Sequence, residues 1–276
     1  MRTFYEFQQL LTIKRYASNT IETYIGLLIP FHKTIGVDKD LGMLSDFEIL
    51  EYFKNIVLNN NYAAASQKQL SSAIRLYYKE MYNREVDFST LATRPVQRAL
   101  PVILSKQEVK LILSVLKNKK HIAMLTTIYA LGLRSSELIH LKIVDIDGQR
   151  NQVFIKTAKG KKDRVVPFPE KLKFLLRDYI KEYRPKEYLF EGSGGGLYST
   201  ASLRAVFNKA KKAAGIKKYV TLHGLRHAYA THLMDAGTDV RIIKELLGHN
   251  DIKTTLIYTH VTQITLENLP SPLDLL

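Results

Sequence analysis

In the first ninety residues the apolar positions recur at the three-to-four spacing of helices. SNTIETYIGLLIPFHKTIG opens on Ser18, a candidate N-cap, runs amphipathically and stops at Gly36. SDFEILEYFKNIVLNNN sets Ser45 and Glu48 in capping-box spacing ahead of a periodic apolar run. AAASQKQLSSAIRLYYKEMYN follows at helical period, and a shorter helix is expected near residues 2–14. The pattern predicts a four-helix unit over residues 1–90. STLATRPVQRALPVIL then interrupts it, because Pro95 and Pro101 disfavour continuous helix. Residues 91–102 are therefore expected to be an extended linker.

A second body is expected over 103–276. It starts with a helix at Ser105, again with a capping-box glutamate, Glu108. A further helix leads into ALGLRSSELIHL. From 143 to 168 the period changes to two: IVDIDGQRNQVFIKTAKGKKDRVVPF alternates, is rich in Val and Ile, and has turn signals at DG and KG. Two or three antiparallel strands are predicted. Helices return with PEKLKFLLRDYIKEYRP and TASLRAVFNKAKKAAGI. The glycine-rich EGSGGGLYST between them lacks the GKS or GKT ending of a nucleotide loop and reads as a surface connection. The fold class is mainly α with a small antiparallel sheet.

Composition narrows the partners. The 276 residues carry 41 Lys+Arg against 26 Asp+Glu, a formal charge of +15. Residues 1–100 hold 12 basic and 10 acidic side chains, and residues 101–276 hold 29 and 16, so the excess lies in the second body. Such an excess points to an anionic partner, most often nucleic acid. No apolar run reaches eighteen residues, which excludes a transmembrane helix. The opening MRTFYEFQQLLTIKRY does not read as a signal peptide. With no cysteine there are no disulfides, thiolate metal sites or cysteine nucleophiles. A cytoplasmic protein is expected.

The densest chemistry is TLHGLRHAYATHL. His223 and His227 are four apart and share a helical face, which could suit zinc. Against zinc, HGLRH has no glutamate and sets Arg226 beside the would-be ion. Ordinary core histidines would account for His232, and for His227 as a residue that orients its neighbours. They do not account for Arg226 in an apolar run, since arginine is rarely buried without a partner. An anion site accounts for both residues. A guanidinium forks two bonds to phosphate oxygens, and an imidazole beside it holds or moves a proton near neutral pH.

Four more residues bear on that choice. Arg134 lies in an apolar helical context, where its plain role is an ion pair with Glu137. Lys159 sits at the turn between two predicted strands, where lysine is ordinarily solvated. His249 follows Gly248, a suitable helix-ending glycine. Tyr258 is placed on a short helix among aliphatics, where tyrosine is ordinarily core.

In order and spacing, Arg134, Lys159, the His223-x-x-Arg226 pair, His249 and Tyr258 resemble the tyrosine recombinase (phage integrase) family, nearest to its compact Xer-type and integron-type members. The ordered set GLRSSEL, AKGKKDRVVP, HGLRH, LLGH and IYTH carries the resemblance, which spans essentially the whole chain. No long insertion separates Lys159 from His223, unlike the full integron pattern. The resemblance implies an N-terminal core-binding domain (1–90), a linker (91–102) and an α+β catalytic domain (103–276) with a C-terminal tail (261–276). It implies cleavage and rejoining of double-stranded DNA through a 3′-phosphotyrosyl link at Tyr258, with no cofactor and no metal. Arg134 and Arg226 would clamp the phosphate, His223 would accept a proton, Lys159 would protonate the leaving oxygen and His249 would bond the phosphate. Lys142, Lys161, Lys162, Arg164 and Arg241 are expected along the DNA backbone. The tail is expected to dock on a neighbouring protomer in a tetramer, and an accessory protein is a further candidate partner. A type IB topoisomerase-like relaxing enzyme and a DNA-binding protein without catalysis stand as alternatives.

Overall fold

The computed structural model describes residues 2–36, 39–93, 101–156 and 163–258. The chain divides into two compact units, Met1–Arg98 and Ala99–Leu276.

The first unit holds α1 (Arg2–Ile13), α2 (Ser18–Ile35), α3 (Asp46–Asn59) and α4 (Ala64–Tyr82). Its core gathers the periodic apolar positions: Phe7 and Leu11 from α1, Leu28 and Phe31 from α2, Ile49 and Phe53 from α3, and Leu70, Ile74 and Tyr77 from α4. Ser45 forms both halves of the expected capping box with Glu48. At α2 the N-cap is Ala17, so Ser18 is already helical. Gly36 ends that helix at φ 111°, a conformation that side-chain-bearing residues avoid. The Tyr78 hydroxyl donates to the Leu41 carbonyl at 2.8 Å, which fastens the α2–α3 connection to α4.

The second unit begins with α5 (Lys106–Ser114), α6 (Lys119–Leu131) and α7 (Ser135–His140). A three-stranded antiparallel sheet follows in the order β1 (Ile146–Asp147), β2 (Gln152–Ile155) and β3 (Arg164–Pro167). Ile155 pairs with Arg164 and Val153 with Val166. Then come α8 (Glu170–Tyr183), α9 (Thr200–Ala213), α10 (Gly224–Asp235), α11 (Val240–Leu247) and α12 (Lys253–Leu256). Helix α6 packs against both α8 and α10 at the centre of the unit. It is buried nearly all round, with Ala123, Met124, Leu125 and Ile128 in one core with Val153 and Val166 of the sheet. Ser105 and Glu108 make the second expected capping box.

Two helices end on glycines in the left-handed region, α6 on Gly132 (φ 61°) and α11 on Gly248 (φ 62°). Both ends lie beside the expected site residues. A Cβ on Gly132 would fall 2.5 Å from the Tyr229 ring, and one on Gly248 would fall 3.1 Å from Arg164 Cδ. Backbone conformation thus favours glycine at both positions, and an added side chain would clash with Tyr229 at the first and crowd Arg164 at the second.

Candidate active site

Helix α7 starts the site. Arg134 is its N-cap residue, and Glu137 reaches back to the Arg134 backbone N–H at 2.8 Å. The Arg134 guanidinium gives Nη1–H to Glu137 Oε1 at 2.7 Å and Nη2–H to the Gly248 carbonyl at 3.2 Å. The sequence-level ion pair therefore exists, but it is one corner of a larger cluster. Arg226 comes from the first turn of α10 and is fully buried. Its Nη1 donates to the Gly132 carbonyl at 2.8 Å and lies 3.6 Å from Glu137 Oε2, and its Nη2 donates to the Leu247 carbonyl at 2.6 Å. Its Nε has no hydrogen-bond partner among the described residues. A buried donor left over in a cationic cluster suits an anion that arrives from outside.

Burial alone would raise the pKa of Glu137. Arg164, the Arg134 N–H and Arg226 outweigh burial and hold the carboxyl at about 2. Glu137 is thus a fixed anion that lets guanidiniums accumulate. Arg226 is pushed down to about 9 by burial and by Arg134, and remains a cation at neutral pH.

The histidines are held neutral. His223 occupies the N-cap position of α10, and burial, with His227, Arg226 and Arg134, pushes it down to about 4. His249 follows Gly248, has Nδ1 2.9 Å from Thr255 Oγ1, and is pushed down to about 3 by burial and the nearby arginines. A neutral imidazole at pH 7 presents one ring N–H donor and one acceptor nitrogen. The His223 and His227 rings meet edge-on, with centroids 4.5 Å apart. His223 also lines a cleft of about 500 Å³ with Ser135, Arg204, Asn208 and Thr221, which gives the cluster an opening.

Tyr258 lies two residues past the end of α12, in a turn and not on the helix the sequence suggests. It is only 1 % exposed and packs with Ala230, Met234, Ile243 and Leu247. Its hydroxyl is 2.8 Å from His227 Nδ1. Burial raises its pKa against the pull of Arg226 and Arg134, so the resting phenol is neutral. Arg134, His223, Arg226, His249 and Tyr258 are therefore joined by one run of contacts through Glu137, His227 and the end of α11. Lys159, Lys161 and Lys162 lie outside the described residues.

The other expected DNA contacts divide. Arg241 is exposed and is braced by Asp239 at 3.0 Å. The Lys142 ammonium bonds Glu187 at 2.7 Å and stands over the Tyr188 ring. Arg164 corrects the expectation of a solvent-facing DNA contact. Its side chain is 6 % exposed, it forks onto both Glu137 oxygens at 2.9 and 2.8 Å, and its Nε donates to the Leu246 carbonyl at 2.6 Å. The strand period held the missed signal, since Arg164 is two residues before buried Val166 and shares its inward face. Among the described residues no group of three His, Asp or Glu side chains could hold a metal ion.

The sequence matches the phage integrase family over residues 103–264 and the N-terminal SAM-like domain of phage integrases over residues 4–87. It is 34 % identical to tyrosine recombinase XerA of Thermococcus kodakarensis, across 93 % of this chain and 90 % of that protein. It is 32 % identical to tyrosine recombinase XerD of Oceanobacillus iheyensis, across 96 % and 95 %. The fold is shared with the crystal structure of the XerH site-specific recombinase bound to a palindromic difH substrate in a post-cleavage complex. That likeness has a TM-score of 0.72 and 22 % identity, and covers 88 % of this chain and 76 % of that one. The chain belongs to the phage integrase family, as a tyrosine recombinase of the compact Xer type.

Proposed function

We propose that Tyr258 is the nucleophile of a site-specific DNA recombinase, and that Arg134, Lys159, His223, Arg226 and His249 serve it. The phenolic oxygen attacks the scissile phosphorus, forms a 3′-phosphotyrosyl link and expels a 5′-hydroxyl. The phosphotyrosyl link conserves the energy of the broken phosphodiester bond, so a 5′-hydroxyl can reverse the step without ATP. Arg134 and Arg226 clamp the non-bridging oxygens as charge builds in the transition state. His223 accepts the phenolic proton, Lys159 protonates the leaving oxygen, and His249 donates to the phosphate. A metal-free clamp of this kind needs cations that cost little to reorganise, and Glu137 holds them in place before DNA arrives.

The observation that carries this reading is the gathering of two guanidiniums, two neutral imidazoles and the phenol within one contact network, beside an open cleft. Tyr258 is withdrawn into apolar packing in the free chain, so cleavage requires it to leave His227 and enter that cleft.

Residues 1–90 would form the core-binding domain and 91–102 the linker. Residues 103–276 would form the catalytic domain, whose tail at 261–276 docks on a neighbour in a DNA-bound tetramer. The substrate would be a double-stranded DNA site, in keeping with the XerH site-specific recombinase, which is bound to a palindromic difH substrate. Lys142, Lys161, Lys162 and Arg241 would rest on its backbone, and an accessory protein is a further candidate partner. The site of action is the cytoplasm.

A library of nicked suicide duplexes with randomised half-sites tests the reading. The wild type is expected to trap a covalent adduct that Tyr258→Phe does not form. Absence of any adduct from the wild type would favour binding without catalysis. Joining of two different duplexes separates recombination from relaxation.

A further inference from the structure

The three buried or half-buried guanidiniums of the second unit share a pattern that phosphate binding does not require. Arg164 donates to the carbonyl of Leu246, Arg226 to that of Leu247 and Arg134 to that of Gly248. Three successive carbonyls at the end of α11 are thus each taken by a different arginine. These are the carbonyls that a helix leaves unpaired at its C-terminus, where the helix dipole is negative. The same three arginines converge on Glu137: Arg164 by a fork, Arg134 at 2.7 Å and Arg226 at 3.6 Å.

Arg164 differs from the other two. Arg226 has a spare buried Nε and Arg134 is partly exposed. Arg164 spends Nε, Nη1 and Nη2 on protein acceptors and is nearly sealed from solvent. It bridges the start of β3, the Glu137 carboxylate on α7 and the end of α11. We propose that Arg164 is a positioning residue for cleavage: it fixes Glu137 against α11 and thereby sets the two phosphate-clamping guanidiniums at their working separation, without touching DNA. The bridge also anchors the strand that begins five residues after Lys159 in the sequence. The bidentate fork is essential to the role. A lysine supplies a point charge but cannot bond both carboxylate oxygens and the Leu246 carbonyl in one plane.

The inference rests on the function proposed above, and one experiment separates the two. Full-length Arg164→Met and Arg164→Lys are assayed on the nicked duplex that gives the most adduct with the wild type. Affinity is measured by titration, and the cleavage rate constant at saturating DNA. No adduct with the wild type would refute the function itself. Where the wild type reacts, affinity is expected to stay unchanged. The rate should fall about 10²-fold in Arg164→Met and roughly tenfold in Arg164→Lys, in line with a displacement of clamping groups by a fraction of an ångström to one ångström. A wild-type rate in either variant overturns the proposal. So does a parallel loss of affinity and rate, or failure of both variants to fold, since either outcome makes Arg164 a stability residue alone.

Discussion

At the scale of the residue, the site is organised by a carboxylate more than by any cation. Glu137 is 5 % exposed and accepts from two arginine side chains, with a third 3.6 Å away. Replacing Arg134 or Arg226 with Gln is expected to lower the cleavage rate by about 10²–10³, the usual cost of one preorganised donor. Single-turnover adduct formation measures it. Gly248→Ala makes a sharper prediction. The added methyl group meets a left-handed backbone and the Arg164 side chain at 3.1 Å, so cleavage should slow although no group that touches phosphate has changed. Unaltered cleavage in Gly248→Ala would mean that the end of α11 does not control the cluster. The Arg134–Glu137 pair was legible because the partners are three residues apart. The fork from Arg164 spans 27 residues and the carbonyl bond from Arg134 spans 114, and no local spacing encodes either. His227 shows the same limit. Its place beside His223 and Arg226 could be read as an orienting role, but a partner 31 residues away at Tyr258 could not.

At the scale of the element, boundaries fixed by side-chain chemistry were the legible ones. The Ser45–Glu48 and Ser105–Glu108 boxes form, because each satisfies helix-start N–H groups from within four residues of sequence. The strands were visible in the change of period. The start of α2 was misplaced by one residue, since Ala17 in extended backbone serves as the cap with no side-chain bond to reveal it. The end of α12 was overextended for a similar reason: the apolar run through Tyr258 continues, but the helix stops at Leu256. Ser105→Ala is expected to cost about 1 kcal/mol by removing the cap that starts α5. Urea unfolding checks it, and a change within error would show that Glu108, which also bonds Lys218 at 2.7 Å, holds the turn unaided.

At the scale of the whole molecule, charge and protonation set the working conditions. His223 and His249 have native values of about 4 and 3, below the 6.5 of a free imidazole. Between those values the unfolded chain takes up protons that the native chain refuses, so stability is complete above about pH 6.5 and falls as pH drops towards 4. Glu137 adds a second loss, between its ordinary 4.5 and its native value of about 2. Urea melts from pH 8 to 4 should show the decline, and the His223→Gln, His249→Gln double variant should flatten its upper part. A slope unchanged by that substitution would assign the acid loss to other groups. The net charge of +15 predicts DNA affinity that weakens steeply with added salt. The two-body organisation and the basic second body could be read from period and composition alone. The gathering of Arg134, His223, Arg226, His249 and Tyr258 could not, because it depends on how α7, α10 and α11 pack. The separation of 114 residues between Arg134 and the carbonyl of Gly248 has a final consequence. During synthesis, a chain that has emerged only as far as α10 already carries Arg134, Arg226 and their counter-anion Glu137. It lacks all three backbone oxygens that orient them. The cluster therefore closes only after α11 has emerged and packed, so its geometry forms late and as a unit.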